Sequence, residues 1–136
     1  MRSVQERSIR MAVLAGLLAI CLIVATSGLA DSQMHKSKPF MGPKANKGFV
    51  THTKQGNDSV LTLSDDFVVP DTPDPHWRIV DSKGTVYDMA KLKIKGDGYN
   101  KSIKLPAYVK DVAKVVIWCA FAETNLGEAS FEKPVK

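Results

Sequence analysis

Short segments of alternating apolar and polar residues, each closed by a turn sequence, recur along most of this chain at intervals of about ten residues. They lie at 49–53, 59–64, 76–81, 85–92 and 100–105. Successive side chains of a strand point to opposite faces, so the alternation is typical of strands that bury one face. The pattern predicts an all-β fold, a sandwich or barrel-like single domain of about eight short strands.

The size and composition of the chain fit this prediction. At 136 residues it has room for one domain and little else. Apolar residues make up 44% and charged residues 24%, which is ordinary for a globular protein and argues against wholesale disorder. Prolines at 70, 73 and 75 exclude a helix in that loop.

The strongest strand pattern is KVVIWCAFAET at 114–124. Both of its faces are apolar, which predicts a central strand covered on both sides. One face would carry Val115, Ile117, Cys119 and Phe121, and the other Val116, Trp118, Ala120 and Ala122.

The first thirty residues resemble a secretory signal peptide. Residues 1–10 hold three arginines and one acid, residues 11–25 are uncharged and almost wholly apolar, and Gly28 and Ala30 precede a cleavage position after Ala30. The alternative is an uncleaved membrane anchor, because residues 11–30 are just long enough to span a bilayer. We expect cleavage, and therefore an exported protein that is periplasmic, cell-surface or extracellular and keeps no membrane span.

The remaining chain divides by composition. Residues 31–47 are polar, basic and rich in turn formers, which predicts a flexible tether; the β domain would occupy 48–131 and a charged tail 132–136. Without residues 1–30 the chain has 16 basic and 13 acidic residues, a net charge of +3. The lysines are scattered and no aromatic residues interleave with them, so nucleic acid is not an expected partner.

Cysteine usage narrows the chemistry. Of two cysteines, Cys21 lies in the signal segment, which leaves Cys119 in the domain without an internal disulfide partner. Cys119 is either a small buried hydrophobe or a reactive thiol or soft ligand. Strand alternation predicts that it faces the interior between Ile117 and Phe121, with restricted access from the side of the loop at 70–75. Apolar burial would raise the pKa of such a thiol.

The histidines offer one further candidate. His76 follows the proline loop beside Trp77, and it is either a second ligand or a loop-end imidazole bonded to the backbone. His52 lies between threonines and is expected to face solvent, while His35 falls in the presumed tether and is given no role.

Several familiar sites are absent from the sequence. It has no Cys-x-x-Cys dithiol and no Cys-x-x-Cys-His haem attachment motif. No histidine or methionine follows Cys119, so the usual ligand cluster of a blue-copper site is missing. No catalytic set of nucleophile and base stands out, so a stand-alone enzyme is not predicted, and neither is a metal site.

Several motifs resemble one known family. VVIWCAF at 115–121 resembles the Trp-Cys strand of the DM13 domain, also called the electron-transfer DM13 domain, and LGEA at 126–129 resembles its closing motif. LTLSDDF at 61–67 and PDPHW at 73–77 are similar to its upstream motifs. The resemblance covers roughly 40–131.

This resemblance implies a β-sandwich-like domain related to the DOMON group. It also implies a redox or electron-transfer role for the single cysteine, as a thiol or as a ligand to a prosthetic group such as haem. That role maps onto Cys119, with His76 as the best second ligand and Trp118, Trp77 and Phe121 as a supporting pocket.

The chain also departs from the family. A histidine that the family carries soon after its first glycine-rich turn is missing from GPKAN at 42–46. No companion DOMON or cytochrome module is present either. Two functions therefore stay open: a redox or cofactor-binding module with a redox partner, and a non-catalytic extracellular interaction domain in which Cys119 is merely packed.

Overall fold

The computed structural model describes residues 33–96 and 98–136, and the predicted signal peptide lies outside them. The described residues form no helix and eight strands in two antiparallel sheets, which confirms the all-β sandwich. Accordingly, these residues contain no helix that is long and apolar enough to cross a membrane. In chain order the strands are β1 (His35–Lys36), β2 (Val50–Gln55), β3 (Asp58–Leu63), β4 (Pro75–Val80), β5 (Val86–Lys91), β6 (Ser102–Lys104), β7 (Val112–Cys119) and β8 (Thr124–Val135).

The two sheets share one core. The first has the strand order β1-β2-β3-β6 and the second β5-β4-β7-β8. Each sheet turns the apolar side of its strands inward, so a single buried cluster draws on both. Its members include Val50, Leu61, Leu63, Ile103, Trp77, Ile79, Val115, Ile117 and Cys119.

The strand β7 is central, as predicted, because it pairs with β4 on one side and β8 on the other. Its outer face is covered by a long charged side chain. Val116 is buried there, and the guanidinium of Arg78 lies 3.9 Å from the centre of the Trp118 ring. Arg78 is held in turn by two hydrogen bonds of 2.9 Å to Asp88.

The expected placement of Phe121 on the inner face is wrong. The strand β7 ends at Cys119, and residues 120–123 turn the chain into β8. Strand alternation therefore stops before Phe121, whose side chain is 77% exposed.

The segment expected to be a flexible tether is packed in its described part, from residue 33 to 47. The strand β1 pairs with β2, and Phe40 and Ala45 are buried in the core. The N–H of Ser37 donates to a carbonyl of the first sheet and the N–H of Lys38 to the Ser130 carbonyl of the second. The segment therefore links the two sheets along one edge.

A bulge in β8 receives this segment. Leu126 has no partner on β7, and its carbonyl accepts the N–H groups of Lys44 at 3.0 Å and Ala45 at 2.7 Å. A Cβ on the next residue, Gly127, would overlap the carbonyl oxygen of Ala45. The close approach of the two backbones therefore requires glycine.

The predicted charged tail at 132–136 is instead mostly strand. The strand β8 continues to Val135, which is buried and pairs with Val112. Its alternation of apolar and polar residues is interrupted by charged positions, which explains why the sequence pattern ended too early.

Candidate functional site at Cys119

Cys119 lies in the interior at the last position of β7, with 1% of its surface exposed. It is a free thiol and pairs across the sheet with Pro75 and Thr124. The sequence-based prediction of an interior cysteine therefore agrees with its position. The loop at 70–75 ends directly beside it, also as predicted.

The turn after Cys119 curls back over the thiol. The N–H of Ala120 donates to the carbonyl of Asp74 at 2.9 Å, which fastens the turn to the proline loop. Glu123 closes the turn with a φ of 48°, an uncommon conformation for a non-glycine residue. The turn places the backbone of Phe121 and Ala122 directly after Cys119, and both act on the ionisation of its thiol.

Backbone groups and burial act in opposite directions on the pKa of the thiol. The N–H of Ala122 has the largest effect and lowers the pKa of Cys119, while burial raises it. The backbone of Asp74, the backbone of Phe121 and the side chain of Thr72 lower it further. The net pKa lies below the ordinary value, because hydrogen bonds to the charged form outweigh desolvation. Burial therefore raises the pKa as expected, but the hydrogen-bonding groups around the thiol reverse the net direction.

Thr72 is a neighbour of the thiol that sequence reasoning missed. Its hydroxyl oxygen is buried and makes no hydrogen bond of standard geometry to any group in the described residues. The side chain of Thr72 is nonetheless one of the groups that lower the pKa of Cys119. In the sequence, only its position between Pro70 and Pro73 pointed to Thr72 as a neighbour of the thiol.

His76 lies on the opposite face of the sheet from Cys119. Along β4, Pro75 pairs with Cys119 and His76 with Trp118, so the side chains of His76 and Cys119 point away from each other. The Nε2 atom of His76 lies 3.0 Å from a carboxylate oxygen of Asp74. The structure therefore does not bring Cys119 and His76 together as ligands of one group.

The aromatic residues expected to form a supporting pocket occupy three separate environments. Trp77 is fully buried in the core and donates from Nε1 to the carbonyl of Asn100 at 2.9 Å. Trp118 lies on the outer face and Phe121 is exposed. A haem between Cys119 and His76 thus finds neither its two ligands nor its apolar walls on one side of the sheet.

Asp74 contacts both His76 and the turn that follows Cys119. Burial opposes ionisation of its carboxyl, but hydrogen bonds from Lys91 and His76 outweigh this and lower its pKa. Its carboxylate lies 3.2 Å from Nζ of Lys91, while its carbonyl accepts the N–H of Ala120. Asp74 therefore anchors the turn over Cys119.

A second cluster lies in the first sheet, where none was expected. His52 is fully buried, and its Nδ1 atom lies 3.2 Å from Nδ1 of His35. Burial, the charge of His35 and the charge of Lys54 lower the pKa of His52 to about 4. The expectation that His52 faces solvent is wrong, because strand alternation places it on the same inner face as Val50.

No protein-family model, curated protein or solved structure matches the chain. The resemblance to the DM13 domain therefore depends on the quoted motifs. Within residues 33–96 and 98–136, no group of three or more His, Cys, Asp or Glu side chains is placed to hold a metal ion.

Proposed function

We propose that the chain is an exported redox module that acts through the thiolate of Cys119. The observation that carries the proposal is a free cysteine buried beneath a turn that is fastened to Asp74, with a pKa that the surrounding backbone lowers. The thiolate is the reactive form of cysteine, and a turn that stabilises it has no need to do so for packing alone. Export follows from the predicted signal peptide, and the DM13 resemblance also favours a redox role.

The burial of Cys119 selects the kind of reaction. A sulfur with 1% of its surface exposed favours a small oxidant over a bulky disulfide. In the reaction with a hydroperoxide, the thiolate attacks the distal oxygen, the O–O bond breaks, and the leaving oxygen departs as hydroxide or alkoxide. The product is a sulfenic acid. Return to the thiol consumes two external thiols, since the domain has no second cysteine.

Oxidation of the purified protein by hydrogen peroxide tests the proposal. We expect a sulfenic acid at Cys119, trapped by a carbon-nucleophile probe, located by peptide mass spectrometry and reversed by added thiol. A bulky thiol reagent should react slowly with the native protein and quickly after denaturation. Cys119→Ala is the control. If Cys119 is oxidised only after unfolding, the proposed function is wrong.

The second candidate is a non-catalytic extracellular interaction domain with Cys119 packed in the core. The exposed side chains of Phe121 and Met41, at 77% and 76%, favour it, because large apolar groups on a surface are common at protein contacts. An inert native thiol, together with no absorbance change on haem addition, would support this candidate over the redox module.

A further inference from the structure

Two histidines from neighbouring strands meet on the inner face of the first sheet. His35 of β1 and His52 of β2 are directly opposite in the antiparallel register. Such cross-strand pairs bring their side chains into contact. The two rings stack with centroids 5.4 Å apart and planes inclined by 29°.

The separation of their Nδ1 atoms matches that of two nitrogen ligands on one metal ion. Metal–nitrogen bonds of about 2.0–2.1 Å and the observed 3.2 Å separation correspond to a ligand–metal–ligand angle of roughly 100°. That angle lies between the square-planar and tetrahedral values. The distance between the two nitrogens is therefore compatible with one shared ion.

The contact between the two Nδ1 atoms is a hydrogen bond, and the tautomers of the rings decide which nitrogen donates. The Nε2 atom of His52 has no hydrogen-bond partner in the described residues, so no contact at that nitrogen fixes the tautomer of this ring. An ion that binds both Nδ1 atoms would replace the hydrogen bond between them, and the displaced proton would move to an Nε2 atom.

The site has an accessible side. His35 lines a groove of about 410 Å³ together with Met34 and Glu132. Lys36 and Lys133 also line the groove and His52 does not, so an ion would reach the pair from the side of His35. His35 also belongs to a two-residue edge strand, which can shift more easily than a central strand.

We propose that the Nδ1 atoms of His35 and His52 form a two-nitrogen binding site for a late divalent first-row metal ion, with Cu²⁺ preferred. Among such ions Cu²⁺ binds nitrogen ligands most tightly, and imidazole suits it. The other coordination positions are left to water. This site is independent of the proposed chemistry at Cys119.

Titration of the tag-free full-length protein with Cu²⁺, and in parallel with Zn²⁺, tests the site. Calorimetry should show one equivalent of each ion, with Cu²⁺ bound more tightly, and the electron paramagnetic resonance spectrum of the copper form should show two imidazole nitrogens. His35→Gln should weaken Cu²⁺ binding by about tenfold or more. His76→Gln, which changes a histidine of the other sheet, should bind like the wild type.

His35→Gln is the decisive variant because His35 is only half-buried, so the change should leave the fold intact, as circular dichroism can verify. Zn²⁺ should also raise the melting temperature of the wild type and not of this variant. Unchanged copper affinity in His35→Gln, or equal loss in His76→Gln, would overturn the proposal.

Discussion

At Cys119, burial and backbone hydrogen bonding act on the thiol in opposite directions. Sequence reasoning could identify the residue, because it is the one cysteine outside the signal segment, and could place it inside the fold. It could not foresee the pKa, because the deciding N–H groups belong to a turn whose conformation depends on Asp74 and on the positive φ of Glu123. The lower pKa therefore comes from the backbone of the turn, and no residue type in the sequence predicts it.

The order of stability of two Cys119 variants follows from this environment. Cys119→Ala leaves the N–H of Ala122 without an acceptor and should lower the free energy of unfolding by about 1–3 kcal/mol. Cys119→Ser keeps an acceptor oxygen and should cost less, which reverses the order expected for a purely apolar site. Urea denaturation of both variants measures the difference. A serine variant less stable than the alanine variant would contradict the hydrogen-bonded environment.

His52 should make stability fall at acidic pH. Its pKa is about 4 in the folded protein and about 6.5 in the unfolded chain, so the unfolded state takes up the proton first. The stability present above pH 6.5 is therefore lost progressively as the pH falls to about 4, by about 3 kcal/mol in total. Denaturation at several pH values, compared with His52→Gln, isolates this contribution. An identical pH slope in the two proteins would rule it out.

At the scale of elements, the N-terminal segment and β8 depend on each other. The sequence of residues 33–47 is polar and turn-rich, so composition predicted a tether. Its order comes from two buried side chains, Phe40 and Ala45, and from backbone bonds to the bulge at Leu126. Such long-range backbone pairing has no local sequence pattern, whereas the period-two alternation of β2 to β7 does.

Gly127→Ala tests this contact. The new methyl group would overlap the Ala45 carbonyl, and relieving the overlap requires the two backbones to separate. We expect a loss of roughly 2–4 kcal/mol in the free energy of unfolding and faster amide exchange in residues 37–45. Gly56→Asn is the matched control, since Gly56 has a positive φ, open space around its Cα, and a conformation that asparagine tolerates. Equal stability of Gly127→Ala and wild type would show that the close approach is not required.

For the whole molecule, the sandwich should fold without a metal or a disulfide. Its shared core is built from apolar side chains of both sheets, and an ion at His35 and His52 would add to stability without being needed for it. Circular dichroism with and without chelator should give the same strand-rich spectrum. Unfolding on chelation would show that a metal is part of the folded core.

The central claim is that the fold holds a buried cysteine as a readily formed thiolate. A pH titration of Cys119 in the native protein, followed by NMR of ¹³C-labelled cysteine, tests it most directly. We predict that the midpoint in the native protein lies below that of the unfolded chain. Ala122→Pro removes the N–H with the largest effect and should raise the midpoint. Glu123→Gly keeps this N–H and should not raise the midpoint. A native midpoint at or above that of the unfolded chain would contradict the account.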